Sequence, residues 1–379
     1  MSARKIAEWH EAGVIDAATR ERLTAYEAAH SRPLALWAVW GIGALAIGLG
    51  LVSLIAANWE EIPGTLRLAV HFALIVAALV LREARLAARS PWAVEALAFV
   101  AAALGLTFFG HLGQVYQTTS PLWQPLAAWL VLFAPLLLLT GRSWPSAFAV
   151  IGGAVWCAWE YTTWATGFLR PQPGVALELW IAFVMTLPVL FAPFAAWARG
   201  RGARGGFWRR LEQLALAYAV GAASLACVIA AADGFGERHV ASEWASLILS
   251  GAVMIAAGLG VIAARRGVSG RMAGAIIAAA GLAVPLAYPL GGATVAAALL
   301  FFALWGGIAA AALAAAWRGV FQIAVGVIAL RLIALSFELA SDLLTSGFGL
   351  ILAGVMILGV AWLAVRVARR FAPTTEPAA

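Results

Sequence analysis

"LRLAVHFALIVAALVLREARLAARSPW", residues 66–92, sets two signals side by side. From 66 to 82 the run is apolar except for Arg67, His71 and the closing Arg82, and its length is what a bilayer core asks of a helix, about 17 to 25 residues. Arg82, Arg85 and Arg89 follow within a short turn before Pro91 and Trp92. An apolar run that stops at a cluster of arginines and an interfacial tryptophan is the pattern of a membrane helix with its basic flank on one side.

The pattern extends over the chain. Of its 379 residues 64% are hydrophobic and 11% charged, with mean hydropathy +0.92, values outside the range of a soluble domain of this length. A net charge of +7 would point to nucleic acid in a soluble protein. Here the basic residues occupy short loops between apolar runs, so no nucleic-acid partner is expected and the lipid bilayer is the first partner. Cys157 and Cys227 both lie in apolar runs and read as small hydrophobes, with no spacing for a disulfide or metal.

The expected fold is all-α, a polytopic bundle of about twelve spans. These are 34–57, 66–82, 93–110, 122–140, 145–164, 175–198, 213–232, 244–264, 271–288, 293–316, 319–339 and 344–365. With the N-terminus in the cytosol, 21 of the 25 lysines and arginines fall on the inner side, and only Arg67, Arg170 and Arg238 on the outer side. This N-in, C-in arrangement is the one the positive-inside rule favours, and Trp59, Trp123, Trp144 and Trp197 fall at span ends as interfacial anchors.

Three regions follow: a cytosolic N-terminal segment 1–33, the bundle 34–365, and a basic, then disordered cytosolic tail 366–379. The N-terminal segment has no apolar core of a cleaved signal, so it is expected to be retained. It reads as a short helical hairpin: Ile6 and Trp9 mark an apolar face, Gly13 suits the residue after a helix, and Asp16 suits an N-cap. Residues 1–30 are the place where a protein partner, if the chain has one, is expected to dock.

Polar residues that are not inner-loop charges gather on the other side. Asn58, Glu60 and Glu61 belong to the first outer loop, with His71 just inside the second span. His111, Gln114 and Tyr116 fall in the second outer loop, and Glu160, Glu178, Glu338 and Asp342 lie near the same face. Arg331 stands apart, about 18 Å into a core of about 30 Å. A guanidinium there costs at least about 2.5 kcal/mol, so its position asks for a functional or a structural reason. Helical side chains lean toward their own N-terminus, and Glu338 is about 10.5 Å further along the same helix. The expected partner of Arg331 therefore comes from another helix: His71, Glu178, Glu160, or backbone carbonyls freed near Pro188 or Pro193.

No Walker loop, HExxH, GxSxG, CxxC or dinucleotide fingerprint occurs, and no cofactor is expected. Four stretches, "EAGVIDAATRERLTAYE", "AANWEEIPGTLRLAVHF", "GHLGQVYQ" and "RLIALSFELASDLLTSGFGLILAGVMIL", resemble the bacterial polytopic membrane-protein family known as domain of unknown function 2157. The matching positions are Asn58, Trp59, Pro63, Gln114, Tyr116, Arg331 and Phe337, whereas 145–315 is similar only as apolar helices. The resemblance implies an inner-membrane protein with a cytosolic helical N-terminus and no assigned catalytic residue.

Three functions are compatible with these residues. The first is a permease or lipid-handling protein with a polar site around Arg331 in the outer half of the membrane. The second is a sensor or assembly factor working through residues 1–30. The third is an intramembrane enzyme on lipid-linked substrates using His71, His111 or Glu60 as acid or base.

Overall fold

Backbone amides in hydrocarbon have no water to bond, so each spanning segment satisfies them internally. The computed structural model obeys this rule: its described residues form helices and short turns, with no strand among them. It describes residues 6, 9–30, 42, 46, 61–87, 90–168, 174–201, 204–232, 240–339, 351, 354, 355, 357–359, 362 and 366. Most of the expected spans 34–57 and 344–365 lies outside these residues, as do Asn58, Glu60, Asp342 and nearly all of the tail. The chain divides into two compact units, residues 1–67 and 68–379.

In the first unit, a helical turn at 9–11 ends at Gly13, which adopts φ +70°. Its N–H donates to His10 O at 3.0 Å, and that of Val14 to Trp9 O at 2.9 Å. Glycine suits this site because a left-handed backbone carries no Cβ penalty there. Helix α1 (Ala17–His30) begins with Asp16, whose Oδ1 accepts from Thr19 N at 2.8 Å. Both the Gly13 and the Asp16 readings hold.

The remaining helices are α2 (Gly64–Ala87), α3 (Pro91–Tyr116), α4 (Trp123–Thr140), α5 (Trp144–Phe168), α6 (Val175–Thr186), α7 (Phe191–Arg199), α8 (Gly205–Ala231), α9 (Ala241–Ala264), α10 (Val268–Ala287), α11 (Thr294–Ala314) and α12 (Arg318–Leu339). Each coincides with an expected span, α6 and α7 forming one between them. Nine stretches among the described residues are long and apolar enough to cross a membrane. The helix at the fifth expected span, α5, is not among them, because "WCAWEYTTWATGF" adds tryptophans, threonines, Tyr161 and Glu160 to its second half.

Several helices run past the expected ends. α3 continues through His111, Gln114 and Tyr116, which are therefore helical rather than loop residues, and the chain turns only at Gln117, with φ 50°. α8 begins eight residues before the expected 213, through "GGFWRRLEQ". Hydropathy marks the apolar layer, whereas the hydrogen-bond ladder continues beyond it wherever a polar face can meet headgroups or neighbouring turns.

Small residues build the interior. On α8 Ala215, Ala219 and Ala223, and on α10 Ile277 and Ala280, are fully enclosed. α9 and α10 approach most closely: a Cβ on Gly258 would lie 2.5 Å from Gly274 O, and one on Gly281 2.7 Å from Gly251 O. Two turns separate the paired glycines on each antiparallel helix, so backbone meets backbone along one stripe, as in membrane helix pairs that lack a hydrophobic driving force. α10 ends in a 3-10 turn, Tyr288–Leu290. Beyond it Gly292 N donates to Ala230 O at 3.1 Å and Thr294 Oγ1 to Ala231 O at 3.0 Å, which closes the C-terminus of α8.

Pro188 interrupts the span that begins with α6, and residues Leu187–Leu190 adopt a 3-10 turn before α7. A proline removes a donor from the ladder. The nearby carbonyls expected to be available to Arg331 are engaged otherwise: Tyr218 Oη donates to Met185 O at 2.7 Å, and Thr186 Oγ1 to Phe183 O at 2.8 Å.

Candidate functional site

Arg331 is 6% exposed near the centre of α12. Its Nη1 donates to Glu338 Oε1 at 2.6 Å and its Nη2 to Glu338 Oε2 at 3.1 Å, a two-pronged ion pair within one helix. The expectation of a partner on another helix is thereby corrected. Seven residues return almost to the same face of a helix, and the lean toward the N-terminus carries Glu338 back toward Arg331. Applied to the arginine alone, that rule made the gap look too wide. Nε of Arg331 is buried and has no hydrogen-bond partner among the described residues, while the Glu338 side chain is 40% exposed. The pair thus has an enclosed cationic end and an accessible anionic end.

Of the other residues named for Arg331, His71 and Glu160 are engaged elsewhere. His71 on α2 meets His111 on α3 with the two Nδ1 atoms 3.2 Å apart. His71 Nε2 lies 3.0 Å from Leu104 O, and a carbonyl only accepts, so Nε2 carries the proton. In a neutral pair His71 Nδ1 then accepts and His111 Nδ1–H donates. Phe108 stands edge-on to the His71 ring, centroids 5.4 Å apart. A span of 40 positions separates the two histidines in sequence, and no local spacing reveals the pairing.

Glu160 accepts from Trp156 Nε1 at 3.0 Å, one turn away on α5. Glu178, on the first turn of α6, is half-buried, and its Oε2 has no hydrogen-bond partner among the described residues. It lies within electrostatic reach of Tyr288, whose hydroxyl donates to Glu243 Oε2 at 2.7 Å. Glu61 is exposed in the turn before α2, and Gln114 and Tyr116 are exposed on the last turns of α3. The contacts among the described candidate residues are local ones, Arg331 with Glu338 and His71 with His111. Among the described residues no group of three or more His, Cys, Asp or Glu side chains can hold a metal.

Two buried carboxylates escaped the sequence reading. Glu95 on α3 is 4% exposed. Its Oε1 accepts from Arg142 N, Ser143 N, Ser143 Oγ and Ser146 Oγ, each at 2.7 Å. A side chain of one helix thus caps the start of α5, whose first amides have no partner of their own. Glu212 on α8 is 3% exposed and pairs with Arg265 and, at 3.5 Å, with Arg199. An acidic residue beside an apolar run, in "PWAVEALAF" and "WRRLEQLAL", was the available signal.

Around the turn that Glu95 caps stand three arginines. Arg204 Nη1 donates to Leu138 O at 2.8 Å and to Gly141 O at 3.3 Å, and Arg210 Nη1 donates to Arg142 O. Burial, and then the neighbouring Arg142 charge, pull Arg204 below the usual guanidinium pKa. Aromatic rings flank the group: the Arg204 guanidinium is 5.4 Å from the Trp208 centroid and that of Arg210 is 5.8 Å from Trp144.

No curated protein and no solved structure matches the chain. A family model does, over residues 7–146, and its description is predicted membrane protein (DUF2157). The match includes α1 to α4 and the His71–His111 pair, and it ends before Arg331 and Phe337. The all-α bundle of apolar helices agrees with that description, and the similarity to this predicted membrane protein family covers residues 7–146 of the 379.

Proposed function

We propose that the protein is a permease or lipid-handling protein of the bacterial inner membrane, multi-pass with both ends in the cytosol, in which Arg331 receives an anionic group of the substrate. The observation that carries this reading is the bond between Arg331 and Glu338 on a single helix. A charge kept to fasten two helices would find its partner on the second one. A pair within one helix fastens nothing, yet its two charges carry the cost of residing in the membrane. Exchange gives the pair a use: an incoming phosphate or carboxylate takes the place of Glu338 on the guanidinium fork, and Glu338 turns to the accessible side. The open Nε supplies a further donor to the ligand.

The test is a thermal-shift series on the purified full-length protein with inorganic phosphate, glycerol 1-phosphate and short carboxylates. A bound anion raises Tm by mass action. The expected result is a rise with at least one anion in the native protein and none in Arg331→Gln, whose own Tm and abundance are retained. An Arg331→Gln protein lost from the membrane, with no anion response in the native protein, sinks the reading.

The His71–His111 contact favours a second reading, an intramembrane enzyme, because it joins a hydrogen-bond donor and an acceptor able to relay a proton. Alanine at His71 and His111 should then abolish turnover of a lipid-linked substrate while Arg331→Gln weakens its binding. Full turnover in the double variant removes this option.

A further inference from the structure

Arginines at the ends of membrane helices normally find a carboxylate, water or a lipid phosphate. Around Glu212 the first applies, since Arg265 and Arg199 converge on that carboxylate. Around Glu95 it does not. Its Oε1 is taken by two backbone amides and two serine hydroxyls, all from the turn at 142–146. Arg142, Arg204 and Arg210 form no ion pair with a carboxylate among the described residues. Three guanidinium charges are nonetheless assembled there: the Arg204 fork is anchored to the last turn of α4, and Arg210 to the carbonyl of Arg142.

This cluster lies where α4 ends, α5 starts and α8 starts, with Arg142 and Arg204 in the turns before α5 and α8 and Arg210 in the second turn of α8. The exposed Trp144 stands beside it, and tryptophan collects at headgroup depth. Anchoring to backbone carbonyls fixes Arg204 and Arg210 without neutralising them, and no carboxylate among the described residues supplies the counter-charge. At that depth in a bilayer the available anion is a phospholipid phosphate.

We infer that Arg142, Arg204 and Arg210, at the junction of α4, α5 and α8, form a binding site for the headgroup of an anionic phospholipid, separate from Arg331. The arginine forks take the phosphate in charge-assisted bonds, and the exposed ring of Trp144 packs beside the upper acyl and glycerol region. A zwitterionic lipid presents the same phosphate together with a cationic group that the cluster repels, so selection is for net negative charge.

The experiment is native mass spectrometry of the full-length protein in mild detergent, titrated with phosphatidylglycerol or phosphatidylcholine of identical acyl chains. Phosphatidylglycerol should bind at least about tenfold more tightly, and Arg142→Gln should weaken it about fivefold, the change one arginine near a membrane surface carries. Arg142 is the informative position because it is exposed and its side chain anchors no helix; Arg318→Gln, at the start of α12, should leave binding unchanged. Arg204→Lys keeps the charge and should retain most of the preference even where Arg204→Gln fails to fold. Equal binding of the two lipids, or phosphatidylglycerol binding unaffected in Arg142→Gln, overturns the inference. Displacement of the lipid by millimolar inorganic phosphate also overturns it, because the site then belongs to a soluble anion. Arg331→Gln should leave the lipid titration intact, which keeps this result apart from that of the anion series.

Discussion

Arg331 and Glu338 meet through both arms of the guanidinium, at 2.6 and 3.1 Å, across two turns of one helix. The two ends differ in their access to water, with Arg331 6% exposed and the Glu338 side chain 40%. Removing one partner is therefore not equivalent to removing the other. Glu338→Gln leaves an enclosed guanidinium without its counter-charge and should destabilise the protein by up to about 3 kcal/mol, the low end for a buried pair because Glu338 is partly solvated. Arg331→Gln leaves a carboxylate that can turn outward and should leave Tm close to that of the native protein. Thermal unfolding of both variants in detergent gives the comparison, and an equal loss would mean that the two ends are equally enclosed.

Glu95 is a cap supplied across helices. Glu95→Ala leaves four donors of the 142–146 turn, three part-buried and one buried, without this acceptor and should cost about 3 kcal/mol. Glu95→Gln keeps one acceptor oxygen but not the charge and should fall between. Hydrogen exchange at Ser143 and the first turn of α5 should speed up before the rest of the bundle; uniform acceleration would show that the cap is not local.

Gly258 and Gly274 admit no side chain. With a Cβ on Gly258 placed 2.5 Å from Gly274 O and 2.9 Å from Ala278 N, Gly258→Val forces backbones apart and should cost about 1–3 kcal/mol. Gly221 faces open space on α8, and Gly221→Ala should not destabilise, since alanine is the better helix former. Unfolding temperatures of the pair decide the matter.

Asp16 gives the N-terminal segment a defined pH response. Its bonds from Thr19, first side chain and then backbone, hold its carboxyl below the usual value of 3.8. A depressed folded-state pKa means that the stabilisation is present above pH 3.8 and lost as pH falls through the lower, folded value. Hydrogen exchange at Thr19 and Arg20 in the full chain should therefore be insensitive to Asp16→Asn above pH 5, because asparagine also caps. It should rise with acid in the native protein and stay flat in the variant.

What could be read without a structure was what depends on neighbours in the chain. A helix in hydrocarbon closes its own hydrogen bonds, so the apolar runs located α2 to α12, with ends displaced by up to eight residues where a helix continues beyond its apolar layer. Gly13 and Asp16 terminate and start helices through bonds to residues no more than four positions away. The tertiary structure decided the pairings. His111 comes to His71 only because α2 and α3 lie side by side, and Glu95 reaches Ser143 only because α3 packs where α4 turns into α5. Arg331 and Glu338 sit on one helix, yet their meeting depended on side-chain directions that seven positions of sequence do not specify. Hydropathy is summed along the chain, whereas a polar bond in the membrane depends on which two groups the packing leaves without a nearer partner.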